Sequence, residues 1–97
     1  MASVDILDRL AKWYAAQCDG DWEHGSGVSI TTVDNPGWMV TIDLKGTPFE
    51  EIQVEEVNID RGDVDWIQCF KREGNFVGAG DPSKLSAILE QFLKSVA

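Results

Sequence analysis

The spacing of apolar residues changes twice along the chain, and this constrains the fold more than any other feature. Near the N-terminus Ile6, Leu7, Leu10, Trp13 and Tyr14 recur at intervals of three and four, while Asp5, Asp8, Arg9 and Lys12 take the other side. Residues three and four apart share one helical face, so this spacing predicts a helix over 4–17 with Ser3 as its cap. Near the C-terminus Leu85, Ile88, Leu89, Phe92, Leu93 and Val96 form an unbroken apolar stripe. Asp81 precedes it as a cap, with Pro82 at the first helical position.

Between the two stripes the period falls to two. Val28, Ile30 and Thr32 alternate, Asp34-Asn35-Pro36-Gly37 makes a turn, and Trp38, Val40, Ile42 and Leu44 alternate again, which predicts a β-hairpin. A third strand is expected over 51–57, with Ile52 and Val54 inward and glutamates outward. Val57 and Ile59 are out of phase with that pair, so the strand either bulges near Glu55 and Glu56 or stops there. The turn Asp60-Arg61-Gly62-Asp63 leads into a strand over 65–72, with Trp66 and Phe70 on one face and Ile67 and Cys69 on the other, which reads as burial on both sides. Glu73-Gly74-Asn75 suits a tight connection to a last strand over 76–79. The connections are too short for parallel crossovers. The expected fold class is therefore α+β: an antiparallel sheet of about four to five strands flanked by an N-terminal and a C-terminal helix.

A chain of 97 residues leaves room for one domain, 1–97. It carries 17 acidic and 8 basic side chains, for a net charge of -9. Phosphate backbones and anionic membranes are bound by clustered Lys and Arg, whereas here the basic residues are scattered from Arg9 to Lys94. Direct nucleic-acid or membrane binding is disfavoured, and a basic protein partner is the natural complement. Residues 1–9 lack the basic region and apolar run of a secretory signal, and the two cysteines, Cys18 and Cys69, read as reduced thiols. A cytoplasmic location is expected.

The segment over 18–27 concentrates polar chemistry: Cys18, Asp19, Asp21, Glu23 and His24 lie within it, with three glycines. It reads as a loop whose carboxylates cap backbone amides and whose Trp22 packs inward. A metal site built on Cys18, Asp21 and His24 lacks further ligands, since His24 is the only histidine, and no calcium-loop template fits. No metal or cofactor is expected. Catalysis would need a nucleophile. Cys18 lies beside three carboxylates at a helix C-terminus, which suppresses a thiolate, and Cys69 falls on an inner strand. A small thiol enzyme of the sulfurtransferase type using Cys18 or Cys69 is the competing reading. Between Asp43 and Asp65 stand eight acidic residues and two basic ones. This is either a solvated sheet edge guarded by charge or an interaction surface.

Trp13 and Tyr14, the run Gln17-Cys18-Asp19-Gly20-Asp21-Trp22-Glu23-His24, then Gly27-Val28, Asp34-Asn35-Pro36-Gly37-Trp38 and Asp65-Trp66-Ile67 together resemble the immunity protein 53 family over nearly the whole chain. The resemblance implies a bacterial antidote that binds and neutralises the toxin encoded beside it, stoichiometrically and without catalysis. The acidic composition adds the expectation of a basic toxin domain, a nuclease for example, whose cleft carboxylates would fill in place of phosphates. The candidate contacts are Glu50, Glu51, Glu55, Glu56, Asp60 and Asp63, with Asp19, Asp21, Glu23 and His24 as a second surface.

Overall fold

The computed structural model describes residues 2–96, the side chains of 2–4 excepted. Helix α1 (Ala2–Gln17) and the short helix α2 (Trp22–Gly25) lead into strands β1 (Val28–Val33), β2 (Gly37–Asp43), β3 (Val57–Asp60), β4 (Trp66–Arg72) and β5 (Asn75–Gly80), and helix α3 (Leu85–Ser95) follows. The five strands form one antiparallel sheet in the order β1-β2-β5-β4-β3. The α+β architecture is the expected one. Ser3, expected as the cap, lies inside α1, which already includes Ala2.

Strand register decides which side chains meet the helices. Val40 and Ile42 of β2, Phe76 and Gly78 of β5, and Ile67 and Cys69 of β4 lie in register on one face, and the non-glycine members of this set are buried. Helix α3 covers this face over β4 and β5, and α1 packs on α3. Gly78 makes the approach close: a Cβ there would strike the Ile88 side chain. Aromatic edges complete the layer, with Trp13 and Phe92 centroids at 4.9 Å and Phe76 and Phe92 at 5.3 Å. The apolar stripe of α1 is narrower than its spacing suggests. Ile6, Leu10 and Trp13 are buried, whereas Leu7 and Tyr14 flank them in solvent.

Several expectations are corrected. The segment over 51–56 forms no strand; β3 begins at Val57, on the out-of-phase side of the break. The Lys71 ammonium donates to the Glu50 carbonyl at 2.7 Å and to the Ile52 carbonyl at 2.9 Å, so these acceptors are satisfied by a side chain instead of a ladder. Phe49, Ile52 and Val54 pack against the core as the segment runs from β2 to β3. The region over 18–27 holds the helical turn α2 and is not wholly loop. Asp81 and Pro82 belong to a turn that precedes the last helix, and α3 starts at Leu85. Strand β4 is buried on one side only, because both long helices lie on the Ile67 and Cys69 face, leaving Trp66 and Phe70 half-exposed. The turn between β4 and β5 is as tight as expected. Glu73 and Gly74 both have positive φ, 53° and 82°, as a two-residue hairpin connection matched to strand twist requires.

Candidate interaction surfaces

The polar loop after α1 is held together by its own carboxylates. Asp19 Oδ1 accepts the Asp21 and Trp22 amides at 2.9 and 3.0 Å, and Glu23 accepts those of Asp19 and Gly20, both at 2.9 Å. Backbone donors favour the ionised form, so both carboxyls sit below their usual range. The Trp22 amide is the largest cause for Asp19, and Glu23's own amide for Glu23. Trp22 is buried edge-on to Trp13 at 6.1 Å between centroids. Asp21 and His24 are exposed, and the His24 amide donates to the Asp21 carbonyl at 3.1 Å. Among the described residues no three His, Cys, Asp or Glu side chains converge as a metal-binding group.

The two thiols have different surroundings. Cys18 is exposed and its Sγ donates to the Tyr14 carbonyl at 3.4 Å. Cys69 is fully buried beneath the helices, and desolvation pushes its thiol up to about 11. A thiol in that position remains protonated at neutral pH.

The acidic residues over 50–63 do not form one patch. The Glu50 carbonyl meets Lys71 near one end of β4, on the helix side of the sheet, whereas Asp60 pairs with Trp66 at the other end, on the opposite face. Five strand residues separate these points, about 17 Å at ~3.3 Å per residue. Glu50, Glu51, Glu55 and Glu56 are all exposed. Glu50 accepts the Gly46 amide at 3.3 Å, and Glu55 pairs with Lys94 at 3.6 Å, a contact between two side chains that are 69% and 71% exposed and therefore of little energetic weight. Asp60 accepts the Gly62 amide at 3.1 Å, and Asp60 and Asp63 line a notch of about 270 Å³ with Asn35, Gly62, Trp66 and Gln68.

Sequence reasoning missed the face on which that notch opens. Met39, Ala79 and Gln68 lie in one row across the sheet, with Val77 and Phe70 in the next, on the side away from both long helices. All of these but exposed Gln68 are half-buried. Trp66 closes one end. Its indole lies against Gly37, where a Cβ would sit 3.1 Å from the ring. Its backbone is bracketed by Asp81, whose carboxylate accepts the Trp66 amide at 2.8 Å and whose own amide donates to the Trp66 carbonyl at 3.1 Å. Asp81 is 1% exposed and also accepts the Lys84 ammonium at 2.8 Å, and Lys84 bridges to Asp65, also at 2.8 Å. The available signal was the apolar pair Trp66 and Phe70 in a chain with helical stripes enough for only one sheet face.

The model of the immunity protein 53 family matches residues 7–97. No curated protein and no solved structure matches the chain.

Proposed function

The chain belongs to the immunity protein 53 family, and from that membership we propose that it protects a bacterial cell by binding a cognate toxin domain, one molecule to one, and blocking it without chemistry of its own. The observation that carries this reading is the extent of the match, residues 7–97, which takes in every strand and α3. The net charge of -9 adds the class of partner: a basic toxin domain, of which a nuclease with a cationic cleft is the leading example. In this reading the protein works in the cytoplasm, away from membranes and without touching nucleic acid directly. Among the described residues no helix is long and apolar enough to cross a membrane.

The competing thiol-enzyme reading finds little support. Burial keeps Cys69 protonated, and Cys18 points its sulfur at a helix carbonyl. The proposed function is tested by mixing the purified protein with the toxin domain encoded by the adjoining gene. A 1:1 complex is expected, with an association rate that falls steeply between low and physiological salt. Absence of a complex, or turnover of a substrate by the isolated protein, contradicts it.

A further inference from the structure

Building on that reading, we propose that the open face of the sheet is the surface that docks the toxin, and that a cationic side chain of the toxin, arginine by its shape, enters the notch between Asp60, Asp63 and Trp66.

Four observations converge on this face. First, the described chain leaves it uncovered, although Met39, Phe70, Val77 and Ala79 present apolar atoms there beside the Trp66 indole. Second, Trp66 is held in advance. Asp81 fixes its amide and its carbonyl, and Gly37 provides the floor for the ring, so docking on it costs little conformational entropy. Third, the nearby Lys84 ammonium is already committed elsewhere. Lys84 serves Asp65 and Asp81, whereas neither Asp60 nor Asp63 has an ion-pair partner among the described residues. Fourth, the notch gathers the group types that pair with a guanidinium, since two carboxylates and an indole line the same space.

Charge also selects the occupant. A second copy would bring another net charge of -9 against the same carboxylate rim, while a basic domain neutralises it. Arg72, stacked 5.0 Å from the Phe70 ring centroid at the other end of the face, makes the surface electrically asymmetric and so fixes the partner's orientation. Five strands about 4.8 Å apart and six residues long give a face of roughly 400 Å², about half of what a standard interface needs from each partner. The neighbouring turns, which carry Asn35 and Asp63, extend it on the notch side.

The test is calorimetric titration of the catalytically silenced toxin domain from the adjoining gene. Three proteins are compared with the unsubstituted chain: the double variant Asp60→Arg with Asp63→Arg, the single variant Gln68→Arg, and the double variant Glu51→Lys with Glu55→Lys, which leaves out Glu56 because that side chain borders Gln68 and Phe70. All changed side chains are exposed, and thermal unfolding midpoints verify that each variant folds. The first two variants are expected to weaken binding about a hundredfold or more, and the third by less than about fivefold. Full-strength binding by both open-face variants overturns the docking surface while leaving the family reading intact. Failure of the unsubstituted chain to bind overturns both. Sedimentation of the free protein as a dimer that Gln68→Arg dissociates also overturns the proposal, because a second copy would then occupy the face.

Discussion

A carboxylate with 1% of its surface exposed is tolerated when donors surround it, and Asp81 has four: the Trp66 and Ser83 amides at 2.8 Å each, the Ser83 hydroxyl at 2.6 Å and the Lys84 ammonium at 2.8 Å. The Lys84 hydrogen bond, followed by that of Ser83, holds its carboxyl far below the usual carboxylate range. A depressed folded value means that the unfolded chain takes up the proton first. The contribution is therefore complete above the unfolded value, about pH 3.9, and is lost as pH falls towards the folded one. Asp81→Asn should lower the thermal midpoint by about 10 °C at pH 7, and the two proteins should converge between pH 4 and 2; curves that stay parallel refute the assignment. The sequence revealed Asp81 only as a helix cap, because its partner Trp66 lies 15 residues back at the start of β4. The roles of Asp19 and Trp22 were readable, since their contacts lie within a few residues of each other or on the adjoining helix. The thiols provide a second prediction. Cys18 should react with a neutral-pH disulfide reagent in the folded protein, while Cys69 reacts only at the rate of unfolding; prompt labelling of both contradicts the burial described here.

Elements with long, one-sided apolar stripes were legible, which is why both terminal helices and the first hairpin lie close to where the spacing puts them. The expected strand over 51–57 failed for a non-local reason. Ile52 and Val54 do turn towards the core, but the carbonyls of Glu50 and Ile52 are taken by Lys71, about twenty residues further on. Replacing Lys71 by Met keeps the stem and removes the donors. The expected outcome is a loss of about 2 kcal/mol in denaturant unfolding, with faster hydrogen exchange confined to 46–56. Unchanged exchange there would show that the apolar anchors alone hold the segment. Packing beneath the sheet makes a sharper demand. Phe92 is fully buried against Trp13 and Phe76, so Phe92→Ala should cost about 4 kcal/mol, whereas a loss below about 1 kcal/mol would mean the helix layer is loosely packed.

At the scale of the whole molecule, the helices cover one face of the sheet and leave open a second face on which the apolar residues Met39, Phe70, Val77 and Ala79 lie among polar ones. Alternation within β4 told the faces apart but not which of them the helices would choose, because Trp66 and Phe70 are as apolar as Ile67 and Cys69. Charge was legible as a sum and not as a map. The acids over 50–63 divide between the helix side and the open side, where Glu56 borders Phe70 and Asp60 and Asp63 stand beside Trp66. The central claim is that protection comes from occupancy, and titrating the toxin's activity against this protein at concentrations well above the dissociation constant tests it most directly. Activity should fall linearly to zero at one equivalent, and the toxin should regain full activity when the complex is dissociated. Complete inactivation by a small fraction of an equivalent, or an unaffected toxin at several equivalents, would contradict the account.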